Sequence, residues 1–256
     1  MTRGRRMLAA GGPAGFAISN DSLTPPLRGA YYFPWYDESW DQLGYSPFTR
    51  YEPSLGYYDQ NDQAVISQHV EWAQYANIDV LIPTWRGRPD DVGISAATFG
   101  DTTNSDPKIV VLMNAALQRG VKVAMLYEVE GYATPTQAEV EAEFAWLAAN
   151  RFTHPAYLYV DDRPVIFVYT AQDKSNTLCA KYSAATSGFT TAYIAMQTAT
   201  DPSGATPQPD AWFQFTNERT ATAPGSYSIC PGFWRIDEAN ARTTRNLATW
   251  QSNIAS

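Results

Sequence analysis

Two glutamates, Glu128 and Glu130, stand two residues apart at the end of the apolar run VKVAMLYE. Alternate residues of a β-strand face the same side, so both carboxylates can point into one site if the strand continues that far. Hydrolysis of a glycosidic bond uses two carboxyl groups about 5–10 Å apart, and this spacing lies near the lower end of that range. We therefore nominate Glu128 and Glu130 as a catalytic pair. The alternative is that one binds a ligand while the other is a surface acid of the loop.

Aromatic side chains stand where the other predicted strands end, most densely in YYFPWY at 31–36. A single aromatic residue usually belongs to the core. A set at one rim, beside carboxylates and an arginine, is typical of a sugar cleft, because sugars present apolar C–H faces as well as hydroxyls. The candidate substrate-binding residues are Tyr32, Trp35, Tyr36, Trp85, Arg86, Tyr132, Tyr169 and Trp234.

Parallel strands are needed to bring these residues to one edge of a sheet. Apolar runs predict strands at 29–36, 78–85, 121–128, 190–197, 210–216 and 226–234, and two extended runs within 154–170 around the turn Asp161-Asp162. Helical patterns lie between them at 62–77, 105–118, from Thr134 or Thr136 to about 151, and at about 172–185 and 237–254. This alternation predicts a TIM-type (β/α)₈ barrel that is incomplete, with about seven βα units. An open doubly wound sheet is the alternative, and the absence of GxGxxG after the first strand argues against it.

Composition excludes several classes of function. The 256 residues carry a net charge of −8, and Lys and Arg cluster only at Arg3–Arg6, which argues against nucleic-acid binding. No apolar stretch approaches the ~20 residues of a membrane-spanning helix. With two His, and with two Cys at 179 and 230, the chain has no metal-site or CxxC spacing, and we expect neither a metal nor a cofactor. The two cysteines allow one disulfide but do not require it. Motifs of the GxSxG and HExxH type are also missing.

The N-terminus is expected to lie apart from the barrel. Residues 1–27 read as a flexible tail or the remnant of a targeting segment, and residues 28–256 as a single barrel domain. The start MTRGRRMLAAGGPAGFAIS weakly resembles a signal peptide, although GGP interrupts its apolar part. We expect a secreted or extracytoplasmic protein, with a cytoplasmic location as the alternative.

The order of five segments resembles the family-99 and family-99-like glycoside hydrolases: YYFPWY, ISQHVEWAQYANIDVLIPTWRG, GVKVAMLYE, HPAYLYVDDRPVIFVY and SYSICPGFWRIDEANARTTRNLATW. That family has (β/α)₈ barrels and includes endo-acting α-mannosidases. The resemblance implies that Tyr32 and Trp35 belong to the first rim and that Trp85 lines the sugar site. It also implies that Glu128 is a binding residue, that Tyr169 closes the fourth strand, and that Trp234 lies on the seventh loop.

The chain departs from the family pattern near its C-terminus. The family carries its two catalytic glutamates in an Asn-Glu-Trp-x-Glu-Gly type segment on the eighth strand, and Asn217-Glu218 only echoes that segment, after an earlier strand. The expected explanations are a truncated chain, the use of other carboxylates, or a protein that does not hydrolyse glycosides. A missing strand would leave an unpaired edge, which the N-terminal tail, the last helix or a second copy of the chain would cover.

Three functional hypotheses follow. The first is a glycoside hydrolase-like protein that acts on an α-mannoside or related polysaccharide by carboxylate acid/base chemistry. The second is a carbohydrate-binding pseudoenzyme or fragment that keeps the cleft without turnover. The third is a hydrolase of another ester or polymer. The first two predict an oligosaccharide or polysaccharide as the partner, with no nucleic acid and no membrane.

Overall fold

The computed structural model describes residue 23 and residues 26–36, 40–41, 44–88, 106–128, 134–169, 176–185, 192–197, 204–213, 234, 236–241, 243–244 and 246–255. Within these residues lie eight strands: β1 (Gly29–Tyr32), β2 (Val80–Trp85), β3 (Lys122–Val123), β4 (Met125–Tyr127), β5 (Tyr159–Val160), β6 (Arg163–Val168), β7 (Tyr193–Gln197) and β8 (Ala211–Phe213). The same residues contain five helices: α1 (Gln63–Tyr75), α2 (Asp106–Arg119), α3 (Gln137–Asn150), α4 (Asn176–Ala185) and α5 (Leu247–Ala255). Strands and helices alternate through most of the described chain, as the sequence predicts.

The strands form one sheet that is parallel except at a single hairpin. Its order is β1-β2-β4-β6-β7-β8, with β3 beside β2 and β5 antiparallel to β6. The sheet is curled, as a contact between its two ends shows: the ring of Tyr31 on β1 lies 6.4 Å from that of Phe213 on β8, at the other end of the strand order. A curled parallel sheet with helical crossovers is an incomplete TIM-type (β/α) barrel. The predicted fold class is confirmed.

Alternate residues of the strands pack into two separate apolar layers. One layer fills the inside of the curled sheet and includes Val80 and Ile82 of β2 with Leu126 of β4. The other lies between the sheet and the helices and includes Leu81 and Trp85 of β2. Successive side chains of a strand point to opposite faces. Counting alternate residues from these two layers therefore shows whether a residue just beyond a strand end points into the barrel or toward the helices.

The predicted hairpin lies between β5 and β6. Asp161 and Asp162 form its turn with φ angles of 50° and 58°. Positive φ at both central residues is the conformation of a two-residue type I′ turn. The turn predicted at Asp161-Asp162 is thus confirmed, and both side chains are exposed.

Helix ends follow the capping signals in the sequence. α1 begins after Asp62, whose carboxylate accepts a hydrogen bond from the first turn. α2 ends at Arg119 and is followed by Gly120 at φ 68°, a left-handed conformation that glycine adopts without strain. α3 begins after Thr136, whose hydroxyl accepts from the backbone N–H of Glu139 while the Glu139 carboxylate accepts from the Thr136 N–H at 2.6 Å. This reciprocal capping box decides between the two threonines that the sequence left open.

We expect Thr136→Ala to lower the free energy of unfolding by about 1 kcal/mol, because the first turn of α3 loses its side-chain acceptor. Urea denaturation of the purified variant measures this loss. The matched control is Thr134→Ala, which removes an exposed threonine outside the helix and should stay within about 0.5 kcal/mol of the parent protein. Equal losses in the two variants would contradict the assignment of the cap to Thr136.

Two predicted elements have different boundaries. The strand predicted at 121–128 is divided at Ala124 into β3 and β4, although the N–H of Ala124 still donates to the carbonyl of Leu81 of β2 at 3.1 Å. The last helix begins at Leu247, ten residues later than predicted, and the described residues between 236 and 246 are irregular.

Two residues on the N-terminal side of the predicted domain boundary contact the barrel. Leu23 and Leu27 pack against the layer inside the sheet, and the N–H of Leu23 donates to the carbonyl of Tyr159 at 3.0 Å. Leu23 and Leu27 thus contact the barrel from within the predicted tail at 1–27, and the boundary between tail and barrel stays a prediction. Residues 1–22 lie outside the described part of the chain, as does the predicted strand at 226–234 apart from Trp234. Cys179 is buried, and Cys230 lies outside the described residues, so the pairing of the two stays open.

Candidate functional site

The carboxyl-terminal ends of the parallel strands bring a polar cluster to the inner face of the barrel. Counting alternate residues from the inner layer places Arg86 after β2, Glu128 after β4 and Tyr169 after β6 on that face. The ladder continues past the strand ends, because the N–H of Glu128 donates to the carbonyl of Trp85 at 3.0 Å and that of Tyr169 to the carbonyl of Tyr127 at 2.9 Å. Residues distant in sequence thus become neighbours at one rim.

A buried ion pair forms the centre of this rim. The Nε of Arg86 donates to Oε2 of Glu128 at 3.2 Å, and the two residues are only 9% and 5% exposed. A guanidinium this close favours the charged form of a buried carboxylate. Glu128 therefore serves as a hydrogen-bond acceptor, and Arg86 presents further N–H donors of its fixed planar fork.

Trp35 lies against this ion pair. Its ring has the guanidinium carbon of Arg86 4.6 Å from the centroid, a cation–π arrangement. Its indole Nε1 donates to Oγ1 of Thr84 at 2.9 Å, and Thr84 is itself buried on the inner face of β2. The indole is half-buried. Two contacts with β2 thus hold an aromatic ring beside a charged donor and acceptor.

Tyr169 completes the cluster on the side of β6. Its ring is half-buried and packs against the inner apolar layer. Burial, and to a lesser extent the negative charge of Glu128, raises the pKa of the Tyr169 hydroxyl above its ordinary value. The hydroxyl is therefore protonated at neutral pH and can donate to a ligand oxygen. The structure thus brings together four predicted site residues: Trp35, Arg86, Glu128 and Tyr169.

Two predicted site residues face the helices and not the rim. Trp85 is 0% exposed and stacks on Trp146 of α3, with 5.9 Å between ring centroids. Tyr32 is buried against α1, where its hydroxyl shares a hydrogen bond of 3.1 Å with Nδ1 of His69. The cause is the pleat of the strands, since both residues have the parity that belongs to the outer layer.

Two further predicted residues contact the segment between β1 and α1. Tyr36 stacks on Trp40 with 4.1 Å between centroids. Trp234 lies under the guanidinium of Arg50 at 4.4 Å, and its Nε1 donates to the carbonyl of Glu238 at 2.9 Å. These contacts place neither residue against the ion pair.

The remaining candidates, Glu130 and Tyr132, lie outside the described residues. The catalytic pairing of Glu128 with Glu130 therefore stays a prediction.

Sequence reasoning missed a second buried carboxylate that holds the turn after β2. Glu143 of α3 is fully buried, and it accepts from the backbone N–H of Arg88 at 3.1 Å while its other oxygen lies 3.6 Å from Nε of Arg88. Gly87, at φ 108°, lets the chain direct Arg86 inward and Arg88 back to the helix. The available signal is a glutamate within the apolar face of the predicted helix, beside Phe144.

Within the part of the chain that the structure describes, no group of three or more His, Cys, Asp or Glu side chains is placed to hold a metal ion. Among the same residues, no helix has the length and hydropathy needed to cross a membrane.

Comparison with known proteins supplies an independent finding. The model of glycosyl hydrolase family 99 matches residues 30–192. The fold is similar to that of the GH99 endo-α-mannosidase from Bacteroides thetaiotaomicron, with a TM-score of 0.68 and 17% identity over 91% of this chain and 81% of that chain. The bis-tris-propane complex of a GH99 endo-α-mannosidase from the same organism gives 0.67 and 18% over 90% and 79%. A glycoside hydrolase-like protein gives 0.59 and 14% over 95% and 82%. No curated protein matches the sequence.

Proposed function

The chain belongs to glycosyl hydrolase family 99, and on that premise we propose that it binds an oligosaccharide containing α-mannoside units at the rim formed by Trp35, Arg86, Glu128 and Tyr169. Its function is glycoside hydrolase-like. The name of the substrate class comes from the endo-α-mannosidases whose fold it shares, and the chemistry of the rim supports a sugar as the ligand.

The observation that carries this proposal is the buried pair Arg86–Glu128 beside the ring of Trp35. A pyranose ring offers hydroxyls that both donate and accept, together with patches of C–H groups. The carboxylate of Glu128 accepts from one hydroxyl, and the guanidinium of Arg86 donates to a neighbouring one. The indole of Trp35 covers an apolar patch, and the Tyr169 hydroxyl donates from the side of β6.

The ion pair also divides the roles of the two nominated carboxylates. A general acid must be protonated before it reacts, whereas Glu128 accepts from the guanidinium of Arg86, a contact that favours the ionised carboxylate. We assign Glu128 to hydroxyl binding or to the carboxylate that acts as base or nucleophile. Glu130 is then the nominated proton donor to the leaving oxygen.

A second candidate function is sugar binding without hydrolysis. It is favoured by the same ion pair, because a carboxylate already engaged by an arginine is better suited to holding a hydroxyl than to attacking a bond. Both candidates predict the same ligand. They differ only in whether the bound ligand is hydrolysed to shorter products.

A panel of α-linked manno-oligosaccharides, with binding followed by calorimetry and products by chromatography, tests both candidates. We expect the parent protein to bind members of the panel and to release shorter products. Glu128→Gln should weaken binding at least about tenfold, since the neutral amide is a poorer acceptor beside Arg86. Glu130→Gln should keep binding and lower turnover by about 10²-fold or more.

The matched control is Glu71→Gln, which neutralises an exposed glutamate of α1 and should change neither property. Binding without products in the parent protein would select the second candidate. No binding to any member of the panel would overturn the proposed ligand. Unchanged turnover in both site variants would remove the catalytic assignment of the two glutamates.

A further inference from the structure

The segment between β1 and α1 carries exposed tyrosines that the rim site does not use. Tyr45, Tyr51 and Tyr57 expose 38%, 49% and 45% of their surfaces. Several solvent-exposed large aromatic side chains on one segment often mark a binding site. The segment follows a strand and precedes a helix, so it leaves the barrel at the same carboxyl-terminal face as the rim site.

Tyr57 is supported from below by a buried indole. Trp40 is only 3% exposed, and it contacts Tyr57 edge-to-face with 5.6 Å between ring centroids. Tyr58 packs on another edge of Trp40 at 5.0 Å, and its backbone carbonyl accepts from the indole Nε1 at 2.6 Å. The exposed ring therefore rests on a fixed base, which reduces the entropy lost when a ligand settles on it.

The same buried indole connects Tyr57 to the rim site. Tyr36 stacks on Trp40 at 4.1 Å with 20° between the ring planes, and it directly follows Trp35 in the chain. Tyr36 is also fixed through its backbone, since its N–H donates to Oε1 of Gln60 at 2.8 Å and its carbonyl accepts from the Gln60 N–H at 3.2 Å. The rings of Tyr36, Trp40 and Tyr57 thus form an aromatic series, which begins at the residue next to Trp35 in the chain.

A charged contact ties the segment to a distant part of the chain. Arg50 places its guanidinium 4.4 Å from the ring of Trp234 and donates to the carbonyls of Ile236 and Glu238 at 2.8 and 2.5 Å. The two hydrogen bonds join residues 186 and 188 positions apart, so Arg50 fixes the segment to a distant part of the chain. A segment fixed in this way can present its tyrosines in a constant orientation.

We propose that Tyr57, on its base of Trp40 and Tyr36, is a second sugar-binding platform that holds distal units of the same oligosaccharide whose proximal unit fills the rim site. This inference rests on the proposed function and adds to it a preference for longer chains. Tyrosine suits the role because its ring covers C–H patches while its hydroxyl exchanges hydrogen bonds with sugar hydroxyls. The occupant is the same glycan because Tyr36, at one end of the series, directly follows Trp35 of the rim site in the chain. A second copy of the chain is the competing occupant.

Calorimetry with α-linked mannobiose and mannotetraose tests the platform. We expect Tyr57→Ala to weaken binding of the tetraose about tenfold and to leave the affinity for the biose within about twofold. Tyr57→Phe, which keeps the ring and loses the hydroxyl, should lose less than Tyr57→Ala. Tyr75→Ala is the matched control, because Tyr75 is 88% exposed on α1 and makes no part of the series.

The outcomes separate this inference from the proposed function. If the parent protein binds neither sugar, the proposed function fails. If it binds both, and Tyr57→Ala weakens them equally or not at all, the platform is overturned while the rim site stands. Size-exclusion chromatography of the parent protein and of Tyr57→Ala tests whether a second copy of the chain occupies the platform. A dimer that dissociates on this substitution would also overturn the platform. Thermal unfolding of each variant shows that the comparison is made between folded proteins.

Discussion

Replacing Arg86 with methionine is expected to lower the free energy of unfolding by about 3–5 kcal/mol, because it removes the guanidinium that pairs with the buried carboxylate of Glu128. Methionine keeps much of the arginine stem, so the change in volume is small. The cost is therefore electrostatic. Urea denaturation followed by circular dichroism measures it, and the same variant should lose binding of manno-oligosaccharides because a donor and the support of Trp35 are removed together.

An exposed ion pair elsewhere in the barrel is the matched control. Arg119 and Glu71 approach to 3.4 Å on the surfaces of α2 and α1, with side chains 35% and 52% exposed. Arg119→Met should cost only about 0–1 kcal/mol, because water already solvates both charges. The double variant Arg86→Met/Glu128→Leu should recover much of the stability lost in Arg86→Met, since no unpaired charge is left in the interior. A loss in Arg86→Met no larger than that in Arg119→Met would show that Glu128 does not depend on Arg86.

The order of strands and helices could be read from the sequence because each segment carries a local signal. The cap of α1 at Asp62 and the glycine after α2 at Gly120 are features of single residues. The local signals do not decide which residue caps α3, because Thr134 and Thr136 are each followed three residues later by Gln or Glu. Only the structure shows that the helix begins after the second.

The face of the sheet on which each strand-end residue lies could not be predicted from such local signals. β2 is buried at all six positions, so its sequence VLIPTW has no alternation between apolar and polar residues. Parallel strands covered on both faces lack that pattern in general. Without it, the parity that sends Trp85 outward and Arg86 inward is not encoded locally. It depends on how β2 pairs with its neighbours.

The pairing of Arg86 with Glu128 could not be predicted from the sequence either. The two residues are 42 positions apart, and they meet only because β2 and β4 pair with Trp85 opposite Tyr127. A slip of this register by one residue would place one of the two charges on the helical side. The sequence could name both residues as rim candidates, since each follows a strand, but it could not show that they neutralise each other.

Trp85→Ala should destabilise the protein by about 3–5 kcal/mol, because it empties a fully enclosed site between β2 and α3. Trp35→Ala should cost less stability, since Trp35 is half-buried, but it should weaken sugar binding at least about tenfold. Urea denaturation and calorimetry on both variants measure the two properties. The pair of experiments separates an aromatic residue of the core from one of the site, although both stand at strand ends in the sequence.

A third variant sharpens the test, because the Trp85 indole Nε1 is buried and has no hydrogen-bond acceptor among the described residues. A buried donor without a partner costs about 1–3 kcal/mol. Trp85→Phe removes that donor and keeps an aromatic ring against Trp146, so it should lose clearly less stability than Trp85→Ala. Folded Trp85→Phe should also bind manno-oligosaccharides like the parent protein. If its affinity fell as far as that of Trp35→Ala, Trp85 would act on the sugar site, and the separation of the two layers would not describe how this barrel binds its ligand.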